Sequence, residues 1–211
     1  MDRFRSMREL LSALRPEGHY SLIAVENRRS AMKLFAPHGG CIEPCTGAVV
    51  SALAGEEFDY FIFRGEMRRE CHATLHVAST RYDEPSCERM VASAVGAISV
   101  HGCRQEEPFI EVGGAHRGFA GTLADLLTAE GYAVVPAGPA RGGADPGNFV
   151  NRCAIGGVQL ELSAGFRRTL FPDFPDEGAR DRAGFPKFIA LVRGWLLGIE
   201  SELSRRGEGR A

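Results

Sequence analysis

Residues 36–46 read APHGGCIEPCT, a histidine, a glutamate and two cysteines set around paired glycines after an apolar run. Imidazole, carboxylate and thiolate are the donor types that bind a divalent transition metal. Four donors in one short loop are too many for one ion to choose among without help from elsewhere. A second apolar run, AISVHG at residues 97–102, ends near His101. His38, Glu43 and His101 make a set of two histidines and one carboxylate, which suits a zinc ion that keeps one position open. Gly39 and Gly40 let the backbone fold back, so that donors five residues apart can meet one point. Cys41-x3-Cys45 is the competing pair. Cys71, Cys87, Cys103 and Cys153 are each isolated in sequence and complete no closed four-ligand site. Cys41 and Cys45 are therefore read as neighbours of the metal.

Metal-assisted hydrolysis also needs a base for water and a cation for the developing oxyanion. Glu161 in VQLELS is the base this pattern offers. It shares one strand face with Gln159 and Ser163, opposite Val158, Leu160 and Leu162. In STRYDEP, residues 79–85, Arg81 is the oxyanion candidate, and Asp83 could orient a histidine through its free ring nitrogen. Asn151 and Arg152 are suited to gripping a substrate carboxylate by paired hydrogen bonds. His76 reads first as a packed histidine and second as one that lines the site, and His19, His72 and His116 have no supporting context.

The elements that must position these groups alternate. Strands are expected at residues 21–27 and 32–38, as neighbours, then at 58–65, 97–102, 109–114, 132–137 and 156–163. Helices are expected at 46–54, at 85–94 with Pro85 in the first turn, at 119–130 stopping at Gly131, and at 185–204. Strands separated by helices predict a single-domain α/β fold, a mixed, mostly parallel sheet flanked by helices. Ligands of such sheets sit beyond the carboxyl ends of the strands. His38, His101 and Glu161 lie near such ends, so three distant stretches converge on one edge.

The 211 residues fit one catalytic domain, with a flexible tail expected from about residue 205. A formal net charge of -2 argues against nucleic acid as a partner, since phosphate binding needs clustered lysine and arginine. No secretory signal or membrane-spanning run is evident, which predicts a cytoplasmic protein away from membranes, with mostly reduced thiols.

The segments APHGGCIEPCT, LHVASTRYDEP, ISVHG, NR and GVQLELS stand in the order found in the poly-gamma-glutamate hydrolase family, which includes phage and prophage enzymes. The resemblance covers roughly residues 21–168. It implies a compact relative of zinc carboxypeptidases, with zinc on His38, Glu43 and His101 and Glu161 as the catalytic glutamate. It places Asn151 and Arg152 near a substrate carboxylate. It implies an acidic polymer, poly-γ-glutamate, as substrate, and release by lysis for a phage-derived enzyme. Arg68, Arg69, Arg81, Arg104, Arg117, Arg152, Arg167 and Arg168 are available to line a basic groove. The alternatives are hydrolysis of another N-acyl amino acid or cell-wall peptide, and a binder of acidic polymer without catalysis.

Overall fold

The computed structural model describes residues 2–138, 142–177 and 184–208, with side chains described up to residue 205. Within these residues seven strands form one sheet: β1 (Tyr20–Val25), β2 (Met32–Gly40), β3 (Asp59–Gly65), β4 (Gly96–Cys103), β5 (Ile110–Gly113), β6 (Val134–Pro136) and β7 (Gly157–Ser163). Their order is β1-β3-β2-β4-β7-β5-β6. The centre, β3-β2-β4-β7, is parallel, as is β5 with β6. β1 on β3 and β5 on β7 are antiparallel. The expected mixed, mostly parallel sheet is what the chain forms. The expected pairing of the first two strands is corrected, because β3 lies between them. The short β1–β2 connection does not form a hairpin, and β1 instead covers the edge of β3.

Among the described residues, seven α-helices cover the sheet: α1 (Met7–Ala13), α2 (Thr46–Ala54), α3 (Cys71–Leu75), α4 (Pro85–Ala92), α5 (Arg117–Ala129), α6 (Ala164–Leu170) and α7 (Gly184–Glu208). Strand alternation sends side chains into two apolar clusters. Leu34 and Ala36 of β2, Val100 of β4 and Leu160 of β7 pack with residues of α2, α5, α6 and α7. Phe35 of β2, Phe61 and Phe63 of β3 and Ala97 of β4 pack with residues of α1, α3 and α4. The parallel strands β2, β4 and β7 are buried on both faces, as a helix-covered sheet requires.

Local signals agree with the ends observed. Pro85 starts α4, and the Glu84 carboxylate caps it by accepting from the Cys87 amide at 2.6 Å. Gly131 takes φ +85° just beyond α5. α7 runs to Glu208, past the point where the flexible tail was expected, and residues 209–211 lie outside the described ones. Among the described residues, no helix is long and apolar enough to cross a membrane.

Candidate metal centre and cavity

β2 carries His38 to the carboxyl edge, and an irregularity aims it. Leu34 and Ala36 belong to the cluster under α2, and simple alternation would send His38 there too. The register on β3 shifts between Ala36 and Gly39. His38 thereby packs edge-on to Tyr82 and bonds Val77, both members of the opposite cluster. Re-aiming a side chain is a common use of a strand bulge. Tyr82 donates its hydroxyl to the Pro37 carbonyl at 2.9 Å and steadies the bulge.

The loop after β2 then turns back. Gly40 has φ +63°, and a Cβ there would overlap the Gly65 carbonyl oxygen, so glycine is required. The Glu43 amide donates to the His38 carbonyl at 2.8 Å, and the Thr46 hydroxyl donates to the Glu43 carbonyl at 2.9 Å. Cys45 enters α2 at φ +73°, a conformation that ordinarily favours glycine. These contacts bring Glu43 back over His38.

Glu43 is the hub. Its Oε1 lies 3.0 Å from His38 Nδ1 and 4.0 Å from His76 Nε2. Its Oε2 accepts from the Gly102 amide at 2.8 Å and lies 3.7 Å from His101 Nδ1. The ligand atoms of His38, Glu43 and His76 all lie within 4.8 Å of one another. His38 and His101, from β2 and β4, meet edge to face with ring centroids 5.1 Å apart. His38, Glu43 and His101 thus lie in one place, as the sequence predicts, and His76, read there first as a packed histidine, joins them. A pattern of spacing could not rank His76, because α3 is only five residues long and carries no strand-end signal. His72, also set aside in the sequence, stacks on His76 at 4.6 Å and lines the same cavity.

The hydrogen bonds around His38 test whether a metal fits. Its Nε2 lies 2.9 Å from the Val77 carbonyl, which can only accept, so Nε2 carries a hydrogen. Nδ1 is buried and makes no aligned hydrogen bond. A bare lone pair 3.0 Å from a carboxylate oxygen is repulsive; a cation between the two removes the conflict. The donor set fits a divalent ion.

The electrostatics favour the same state. Burial works against the Glu43 anion, but His38's charge and contact, His101 and the Gly102 amide hold its pKa at about 2. Burial opposes a proton on His38, yet Glu43 and the Val77 carbonyl carry its pKa above the ordinary value. Burial lowers His101 to about 3 despite Glu43. Burial and the charge of His38 lower His76 to about 4. At neutral pH the cluster is thus a carboxylate with two neutral imidazoles and one that attracts a cation.

Glu161 stands beside this group. On β7 it is the direct register partner of His101 on β4, and it lines the same cavity of about 680 Å³. From its other side it pairs in register with Glu111 of β5, a buried carboxylate that the sequence reading did not single out.

Arg167, read from sequence only as a groove candidate, is buried beneath the site. It donates to the Pro44 carbonyl at 2.7 Å, the Cys103 carbonyl at 2.6 Å and the Ser163 carbonyl at 3.4 Å. One guanidinium thus ties together the Glu43 loop, the end of the His101 strand and the end of the Glu161 strand. Burial lowers its pKa, while the Glu43 carboxylate, two neighbouring thiols and Glu161 act to raise it.

Three expected residues lie elsewhere. Arg81 forms an ion pair with Asp2 and donates to the Arg5 carbonyl. Arg152 pairs with Glu88 at 3.3 Å and donates to the Gly147 carbonyl at 3.0 Å. Asn151 accepts from the Ala115 and Gly157 amides and donates to the Gly143 and Asp145 carbonyls. None of the three is among the residues lining the cavity. Among the described residues, the arginines that do line it are Arg104 and Arg117.

The expectation of reduced thiols is corrected for one pair. Cys41 and Cys71 form a disulfide across a sequence separation of 30, with Cα atoms 5.8 Å apart. The ends of β2 and β3 lie side by side, and Gly65 leaves room for both sulfurs. The bond joins the Glu43 loop to the start of α3, just ahead of His76. Cys45, Cys87, Cys103 and Cys153 are buried and take no part in this bond.

YndL of Bacillus subtilis (strain 168), a UPF0714 protein, is 32% identical over 176 residues, covering 82% of this chain and 68% of YndL. The SPbeta prophage-derived UPF0714 protein YoqZ of the same organism is 29% identical over 196 residues, covering 90% of this chain and 70% of YoqZ. A zinc-free apo structure of YndL superposes with a TM-score of 0.86 at 29% identity, covering 93% of this chain and 98% of that one. A bacteriophage poly-gamma-glutamate hydrolase gives a TM-score of 0.86 at 26% identity, covering 94% and 98%. The family model for poly-gamma-glutamate hydrolase matches residues 4–191, and the chain belongs to that family.

Proposed function

We propose that this chain is a zinc-dependent hydrolase of γ-glutamyl amide bonds, with poly-γ-glutamate as substrate. The observation that carries the proposal is the meeting of Glu43 with His38, His76 and His101 beside Glu161 in one cavity. Family membership and the phage hydrolase of like fold support the polymer as substrate. The zinc-free YndL structure and the donor set support the metal.

In this reading His38, Glu43 and His101 hold the ion, and His76 adds a donor on the Oε1 side of Glu43. Zinc, when bound there, supplies Lewis acidity for hydrolysis. Glu161 accepts the proton of the attacking water on its carboxylate and passes it to the leaving amine. Arg104 and Arg117 form no side-chain hydrogen bond or ion pair among the described residues and line the cavity, which suits them to the carboxylates of an acidic polymer. Asn151, Arg152 and Arg81 brace the loops around that cavity, so their effect on substrate is indirect.

The test is incubation of zinc-loaded protein with poly-γ-glutamate, followed by size-exclusion chromatography. Shortening that requires zinc is expected. An unchanged chain length with zinc bound would remove the substrate from the proposal. Cleavage only of a cell-wall peptide or another N-acyl amino acid would replace it.

A further inference from the structure

Asp2 lies before residue 4, where the family match begins, yet its side chain is only 16% exposed. Its Oδ1 is 2.8 Å from His76 Nδ1. Its Oδ2 accepts from the Ala78 amide at 2.9 Å and pairs with the Arg81 guanidinium. A carboxylate only accepts, so the ring hydrogen of His76 sits on Nδ1. That leaves the Nε2 lone pair directed to the metal cluster, 4.0 Å from Glu43 Oε1. Asp83, the carboxylate that the sequence offered for orienting a histidine, is occupied by Arg8 instead.

We propose that Asp2 is a positioning residue for the metal centre: it fixes the tautomer and aim of His76, so that His76 completes the donor set. The Ala78 and Arg81 contacts hold the carboxylate in place for this task. His76 follows directly on the short helix α3, which alone would not hold an imidazole in one orientation. An aspartate behind a ligand histidine commonly raises its basicity and fixes its rotation. The inference rests on the reading that the cluster binds a divalent ion, and the Cys41–Cys71 bond restrains the same helix from its other end.

Two measurements test it, and neither uses substrate. Nitrogen-15 NMR of the histidine rings in metal-free protein is expected to find the His76 hydrogen on Nδ1, and to find a mixture of tautomers in Asp2→Ala. Zinc affinity by chelator competition is expected to fall about 10–100-fold in Asp2→Ala. In a His76→Ala background the same substitution should cost nothing further. The His76 hydrogen on Nε2 in the wild type overturns the proposal. Unchanged affinity in Asp2→Ala, or an equal loss in both backgrounds, overturns it as well. If Asp2→Ala does not fold, the wild-type tautomer decides. A wild-type protein that binds zinc but leaves poly-γ-glutamate intact defeats the proposed substrate and leaves this test standing.

Discussion

His38 Nδ1 faces Glu43 Oε1 at 3.0 Å while the other nitrogen of the same ring is committed to the Val77 carbonyl. The pair therefore needs a cation, and a proton and a metal ion compete for the place. His38→Ala and Glu43→Gln are each expected to reduce bound zinc from one equivalent to a small fraction, measured by elemental analysis after dialysis. Zinc binding to the wild type should release protons as pH falls toward the His38 titration, visible by calorimetry in buffers of different ionisation heat. Full zinc content in His38→Ala would break the donor set.

The metal-free protein should lose stability in acid. His76 and His101 titrate at about 4 and about 3 when folded, against 6.5 ordinarily, so the unfolded chain binds more protons below that value. Each unit of displacement is worth about 1.4 kcal/mol, less for His76, which is partly exposed. Glu43, at about 2 instead of 4.5, adds its loss lower down. His38, raised, works the other way: its contribution is present below the ordinary histidine value and is lost as pH rises through the folded one. Thermal melts are expected to show a falling midpoint from pH 6.5 toward pH 4. A midpoint constant through that window would contradict the burial of neutral imidazoles.

Arg167 should be needed for the site without touching substrate. Arg167→Met leaves the Pro44 and Cys103 carbonyls without their donor and is expected to cost roughly 3 kcal/mol. Gly102→Ala would set a Cβ 2.7 Å from the Arg167 guanidinium carbon and is expected to weaken zinc binding through the same displacement. Denaturant titration and chelator competition measure the two effects. Wild-type stability in Arg167→Met would contradict the bracing role.

The disulfide should matter to both stability and the metal. Cys41→Ser with Cys71→Ser opens a bond of sequence separation 30 and is expected to cost about 3 kcal/mol on the chain-entropy account. Because the bond joins the Glu43 loop to α3, zinc affinity should fall with it. Equal zinc affinity in the oxidised and serine forms would mean that the remaining contacts suffice.

That His38, His101 and Glu161 meet is legible in the sequence because period and burial say where strands run, and parallel strands share one carboxyl edge. His38, His101 and Glu161 follow from that logic alone. His76 and Asp2 do not, since neither sits on an element long enough to carry a pattern. Arg81, Asn151 and Arg152 show the opposite difficulty: an arginine beside an asparagine looks alike whether it grips substrate or braces a loop. Only partners such as Asp2, Glu88 and the Gly143 carbonyl separate the two. The disulfide was hidden because nothing in the spacing says that β3 inserts beside β2. The antiparallel β1 was misplaced for the same reason.

His101 and Glu161 occupy opposed positions on neighbouring strands, which lie about 4.8 Å apart, so the proposed base and the proposed metal ligand are one strand spacing from each other. The most direct measurement is hydrolysis of poly-γ-glutamate by Glu161→Gln beside the wild type, both with zinc content determined. The account predicts one zinc in each and a loss of turnover of about 100-fold or more in the variant. A variant that keeps its zinc and shortens the polymer at the wild-type rate would contradict it.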